Sequence, residues 1–454
     1  MANIYLQVEI KKRDLMSRVL IGMNSALQNN IVYVGDLSKY LLNSRLSQGI
    51  FLDKSISRIQ SKSNKLKKIK SLGNIIASID EECGVTHKDY ESFATLRFSE
   101  ENLKYTSAIF CWGNKDYNFL KKKYSKFKHK FFKTGSARND ICFILKKFDF
   151  KKRLKNLPPK NYLLINSNFG TILTHKPFFK VLRDRRNYYL SKNRKLYKNV
   201  ETEKFRLERD SWRISILQHY IELIKQLKEK VKNLKIVIRP HPSENINHWK
   251  EFLGNDSNNI LISNDYTSNE MINFCELLIH TGCHTALEAK LMEKSVISFN
   301  PQKKHKFERK FYTDCGVEIN DINNLIKYIK QKKYLLKKNK NLFSKNFKNS
   351  IFLNKKKYSA ELISEVFEKL ILRSKLNKQK KTYKNFIFLN LLNIKDNVIN
   401  FFKNKRLKKY HEHKFEKIKK NEVKEIIDLI KKTNIRFKDL KFQIYGDRVL
   451  KIWK

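Results

Sequence analysis

Ile236-Val237-Ile238-Arg239-Pro240-His241-Pro242 and the later Thr281-Gly282-Cys283-His284-Thr285-Ala286-Leu287-Glu288-Ala289 decide how this chain folds. Each polar stretch comes after a short apolar run, Ile236 to Ile238 in one case and Leu277 to Ile279 in the other. Each therefore reads as a strand end that delivers polar groups into a turn. In an open parallel sheet such ends lie along one edge, where ligands bind. Between and beyond them, Ile260-Leu261-Ile262 and Val296-Ile297-Ser298-Phe299 read as strands. Ser268 to Cys275 and Ala286 to Met292 read as helices, so the block from Ile236 to Pro301 is repeated strand and helix.

The same alternation extends in both directions. Ile4 to Val8, Ile31 to Asp36, Gly49 to Leu52, Asn74 to Ile79, Ala108 to Gly113 and Lys130 to Gly135 read as strands. Helical spacing lies between them, for example Leu15, Val19, Met23 and Leu27. Ser136 to Asp140 reads as a turn, with Arg138 either paired to Asp140 or facing a cleft. The basic stretch Lys146 to Lys160 carries Pro158-Pro159, which resist helix and inner strand alike, and reads as a linker. Tyr162 to Ile165 then restarts the pattern, a long loop is expected over Thr174 to Asn199, and Ser211 to Asn233 reads as a helix. The expected fold class is α/β, with two Rossmann-like doubly wound domains facing a cleft and a basic C-terminal extension. The expected boundaries are 1–155, 156–345, closing helices over 346–374, and the extension over 375–454. In that extension Glu422 to Lys432 reads as helix and Phe442 to Tyr445 as strand; packing on the core, contact with anionic lipid and recruitment of a partner all stay open.

A formal net charge of +53 on 454 residues invites a nucleic-acid reading. The lysines, however, are spread along the whole chain among Asn, Ile, Phe and Tyr, and no nucleic-acid motif accompanies them. Compositional bias with some attraction to anionic surfaces fits better. The six cysteines are far apart, which points to free thiols in a reducing cytoplasm and no metal site. No run is apolar and long enough to span a bilayer, so the expected location is cytoplasmic, with any membrane contact peripheral.

The turns carry the chemistry. Arg239 offers a planar fork matched to phosphate oxygens. His241, held between two prolines, is suited to contact a phosphate or pass it a proton, or else to serve as a structural corner. Thr281 and Gly282 lead into a helix start, where backbone amides favour anions, and Thr285 with Glu288 fits a capping box. Glu288 could equally bind sugar hydroxyls of a nucleotide. Ser167 and Asn168, after the strand at Tyr162, are phosphate donors or ordinary turn residues. Asp80-Glu81-Glu82 ends a strand and either caps the next helix or loop or supplies a general base, Glu81 or Glu82.

Val8-Glu9, Asp80-Glu81-Glu82-Cys83-Gly84, Arg239-Pro240-His241-Pro242 and Thr281-Gly282 with Thr285, Leu287, Glu288 and Ala289 together resemble the bacterial surface carbohydrate (surface polysaccharide) biosynthesis proteins, over roughly residues 1–330. That family is similar to glycosyltransferases of the GT-B type, and in pattern to capsule Kdo transferases and bacterial sialyltransferases. The resemblance implies Glu81 or Glu82 as base and His241 as phosphate ligand. Cys83, inserted before Gly84, departs from the family's acidic element. The implied activity is metal-independent transfer of a sugar, CMP-linked on this pattern, from a nucleotide-sugar donor to a glycan or lipid-linked acceptor, with no cofactor. A sugar-nucleotide epimerase on the same scaffold is the alternative, and a non-catalytic protein binding nucleic acid or lipid is a third.

Overall fold

The computed structural model describes residues 1–82, 90–147, 161–174, 180, 203–254, 260–302, 305–335, 345–354, 356–374, 376, 383–402 and 416–454. The expected linker prolines, most of the loop over Thr174 to Asn199, and Cys83-Gly84 lie outside them. The chain forms two compact units: Met1–Val85, Phe93–Ile144 and Lys348–Lys454 make one, Thr86–Ser92 with Leu145–Phe347 the other.

The first unit holds β1 (Asn3–Gln7), β2 (Ile31–Gly35), β3 (Ile50–Asp53), β4 (Ile75–Ile79), β5 (Ala108–Cys111) and β6 (Phe131–Lys133). They pair in parallel in the order β2-β1-β3-β4-β5-β6. Strands buried on both faces read as continuous apolar runs, as β1, β3 and β4 do. The helix Lys11–Ala26 packs on this sheet through Leu15, Val19 and Met23, all buried. A shorter strand than expected ends at Lys133, and the Ser136 to Asp140 turn is mostly helix: Ala137–Lys147 begins one residue after Ser136. Arg138 donates from Nη1 to the Glu81 carbonyl at 3.3 Å, while the Asp140 carboxylate accepts the Ala360 N–H at 2.9 Å. Asp140 thus holds the start of the Ser359–Leu372 helix, in place of the expected local pair with Arg138.

The C-terminal residues join this same sheet. β13 (Lys441–Tyr445) and β14 (Val449–Trp453) form a hairpin, and β14 pairs antiparallel with β2, register Val449 to Gly35. Val449 and Leu450 are fully buried there.

The second unit holds β7 (Tyr162–Asn166), β8 (Ile236–Arg239), β9 (Ile260–Ile262), β10 (Cys275–His280), β11 (Ser295–Phe299) and β12 (Val317–Ile319). All pair in parallel, in the order β9-β8-β7-β10-β11-β12. The strand order reverses between β7 and β10. Connections leave that point in opposite directions and open a crevice at the carboxyl ends, where ligands bind in doubly wound sheets. One sheet face is an apolar core of Leu163, Ile165, Ile238, Ile279 and Phe299 under the Glu203–Lys230 helix. That helix starts before the expected Ser211, and a further helix runs Ile322–Lys330 with Asp321 capping it.

Candidate functional site

On the opposite face of the second sheet, four strands carry polar residues at or next to their carboxyl ends. The register aligns Arg239 with Asn166, Asn166 with His280, and His280 with Ser298. Side chains alternate along a strand, so these four share the face turned away from the apolar core. His280 is completely buried. Its Nδ1 accepts the Gly282 N–H at 2.9 Å, and its Nε2 meets the Ser298 hydroxyl at 2.8 Å. The Ser298 hydroxyl donates to the Thr313 carbonyl at 2.9 Å, which makes Nε2 the protonated ring nitrogen. Burial pulls the ring's pKa down to about 3, so it is neutral. This relay fixes the Thr281-Gly282 turn, where Gly282 takes φ 75, a conformation that suits glycine.

The turn differs from the expected one in two respects. The Gly282 amide is engaged by His280 and so is not directed at an anion. Thr285 does not close a capping box: His284 is the N-cap, and the Thr285 hydroxyl lies 2.6 Å from the Cys283 thiol. The backbone turns one residue earlier than the Thr-x-x-Glu spacing suggests. Glu288 is buried, accepting from the Ser268 hydroxyl at 2.9 Å. Burial pulls the Arg239 pKa down, and the charges of Glu288, Glu270 and Glu244 work against that fall. The buried Nε of Arg239, and both amide atoms of Asn166, have no hydrogen-bond partner among the described residues.

The β8 and β7 turns are knitted by Glu244, a residue outside the Arg-Pro-His-Pro motif. Its carboxylate accepts the Ser167 hydroxyl at 2.5 Å, the Phe169 N–H at 2.6 Å and the Trp249 indole N–H at 2.8 Å. Burial raises its pKa, and these donors oppose the rise. Ser167 also accepts the His241 N–H at 3.1 Å, so its hydroxyl organises the turn. Phe169 is buried against Tyr220 and Trp249 and anchors the β7 turn. A Cβ on Gly170 would stand 1.9 Å from the Ser243 hydroxyl and 3.0 Å from His241 Nδ1, so only glycine lets the turns approach this closely. His241 itself is exposed. Its Nδ1 accepts the Ser243 N–H at 3.2 Å and lies 2.7 Å from the Ser243 hydroxyl, which leaves the ring proton on Nε2.

A recess opens beside these turns at the β7/β10 reversal. Asn168, Thr281, Gly282, Trp212, Arg213, Phe307 and Arg309 are among the residues that line it. Trp212 stacks on His305 at 5.3 Å and lies against Phe307 at 6.0 Å. Arg213 is steadied by the Thr171 hydroxyl at 2.6 Å. The Trp212 indole nitrogen and Glu308 Oε1 are buried without a hydrogen-bond partner among the described residues. Sequence reading singles out Thr281, Gly282 and Asn168 but misses both arginines and both aromatics. Trp212 is one of three aromatics, with Phe205 and Tyr220, on a long helix and belongs to no motif, and Arg309 sits in a basic run that cannot be told from the lysine background. His241 is two strands away from Thr281, roughly 10 Å at ordinary strand spacing.

In the first unit, Glu81 is buried and paired through Oε1 to Arg18 Nη2 at 2.7 Å, with both side chains almost wholly buried. Arg18 also donates from Nε to the Gln7 carbonyl at 3.2 Å. Glu82 is exposed, its N–H donating to Asp80 Oδ1 at 2.9 Å. Asp80 is clasped by Arg97 at 2.7 Å and 3.0 Å.

The sequence matches no protein-family model, and no curated protein matches it. Solved structures do match in shape. A UDP-GlcNAc 2-epimerase from Methanocaldococcus jannaschii aligns at TM-score 0.50 and 12% identity, over 81% of this chain and 99% of its own. The Neisseria meningitidis UDP-GlcNAc 2-epimerase bound to UDP-GlcNAc aligns at 0.47 and 11%, over 82% and 100%. The wall teichoic acid polymerase TagF aligns at 0.42 and 11%, over 82% and 89%. At such identities the likeness speaks for the fold alone, which is GT-B-like, with two Rossmann-type α/β units.

Proposed function

We propose that the chain is an enzyme that binds a nucleotide-activated sugar on its second unit and breaks the bond between the sugar and the nucleotide phosphate. The observation that carries this reading is the recess at the β7/β10 reversal, with Arg213 and Arg309 beside Trp212 and Phe307. Guanidinium groups match phosphate oxygens, and aromatic faces stack on bases. The unsatisfied Trp212 indole N–H and Glu308 oxygen supply a donor and an acceptor for the nucleoside. His241 follows β8, two strands from the Thr281 turn and roughly 10 Å from it at ordinary strand spacing, a span on the scale of a diphosphate with its sugar. As the bond breaks, its electron pair goes to the leaving phosphate oxygen, and His241 Nε2–H donates a hydrogen bond to the charge that builds there.

Two fates of the sugar divide the reaction class. Interconversion of the sugar nucleotide stands first. Glu81, a candidate transferase base, is tied to Arg18, and the fold neighbour at TM-score 0.50 is a UDP-GlcNAc 2-epimerase. Glycosyl transfer to a glycan or lipid-linked acceptor in surface polysaccharide biosynthesis stands second. It is favoured by exposed Glu82, which takes the base role in that reading. Incubating the purified chain with UDP-GlcNAc, and separately with CMP- and CDP-linked sugars, separates them by NMR of the products. An epimer formed without acceptor supports the first reading, and turnover only with added glycan supports the second. No consumption of any nucleotide sugar under either condition contradicts both.

A further inference from the structure

We infer that the Tyr383–Phe402 helix is a docking surface for an anionic lipid bilayer, lying flat on it. The helix has two apolar faces. One is fastened to the first unit: Leu389 and Leu392 are buried, Asn385 accepts the Ser47 N–H at 2.7 Å, and its amide donates to the Tyr5 hydroxyl at 2.9 Å. The other face carries Ile387, Leu391 and Ile394, exposed at 54%, 55% and 62% and spaced i, i+4, i+7, so they form one stripe. Phe386, exposed at 57%, borders it. A contiguous apolar stripe left in water marks an interaction surface.

Charge selects the partner. Arg45 lies over the Phe388 ring at 5.8 Å, Lys39 over Tyr40 at 4.9 Å, and Tyr40 packs edge-on against Phe388 at 5.1 Å. Lys384 is exposed on the helix itself. An apolar stripe rimmed by cations matches the boundary between anionic headgroups and acyl chains. No described helix is long and apolar enough to cross a membrane, so the helix lies on the surface. An acidic protein would also suit the cations, but it gives no reason for the isoleucine and leucine stripe.

The test is flotation of the full chain with vesicles of phosphatidylcholine and phosphatidylglycerol in equal parts, against phosphatidylcholine alone. The chain is expected to float with the mixed vesicles, and Ile387→Ser/Leu391→Ser/Ile394→Ser to lose binding by about tenfold or more at unchanged helicity, because apolar burial drives insertion. Leu391→Trp gives an independent readout, its fluorescence quenched by brominated lipid above the wild-type level. The inference is overturned if the triple variant floats like wild type, if wild type stays in solution, or if the substitutions convert a dimer to a monomer with no change in flotation.

Discussion

In the proposed reaction His241 is the residue on which the chemistry turns, and its surroundings make it separable from folding. The ring is exposed and meets Ser243 on its own loop, so truncation removes little packing. His241→Ala should cut nucleotide-sugar turnover by about 10²–10³ while shifting stability by less than about 0.5 kcal/mol, read by kinetics and denaturant titration. Glu244 should behave in the opposite way. Glu244→Ala strands three buried donors and should cost about 2–4 kcal/mol, with the two turns loosening together. His280 adds a pH dependence. Its folded pKa of about 3 lies below the unfolded 6.5, so the unfolded chain binds more protons between these values. Its contribution is therefore full above about pH 6.5 and is lost as pH falls, by up to about 1.4 kcal/mol per pH unit. Thermal melting from pH 7 to 5 should show the loss, and His280→Gln should flatten the slope.

At the scale of elements, the alternation of strand and helix was legible because parallel strands buried on both faces are short apolar runs punctuated by turns. The polar row was legible only in part. Arg239 was visible beside its prolines, but Asn166, His280 and Ser298 look like ordinary residues near strand ends until the register sets them side by side. Glu244 escaped because the Ser167 and Phe169 groups that it holds are more than seventy positions away in the chain. The Thr285 cap failed because a local four-residue pattern ignores Cys283 and His280, which set the turn. The C-terminal hairpin did leave a signal: Gly446-Asp447 between two β-rich runs is hairpin chemistry, although the apolar alternation marks its first strand more plainly than its second. Gly35 tests that hairpin's attachment. A Cβ there would stand 2.2 Å from the Arg448 carbonyl, so Gly35→Ala should push β14 off β2. Amide exchange should then quicken at Val449–Trp453, with about 1–3 kcal/mol lost from the first unit.

For the molecule as a whole, the charge of +53 is the most conspicuous property of the sequence and the least informative about its chemistry. Evenly spread lysines create a long-range field that draws anions of every kind, and salt screens it. In the proposed site, specific recognition falls to few charges set in a shaped recess: two arginines, two aromatic rings and the Thr281-Gly282 turn at a strand-order reversal. Thermal unfolding of the chain titrated with UDP-GlcNAc and with CMP- and CDP-linked sugars at physiological salt separates the two effects. A ligand that binds only the folded state raises the melting temperature in a saturable way. The account predicts such a rise with at least one of these nucleotide sugars, retained in His241→Ala and abolished in Arg213→Ala/Arg309→Ala. A melting temperature unmoved by every one of them, or a rise that survives loss of both arginines, would contradict it.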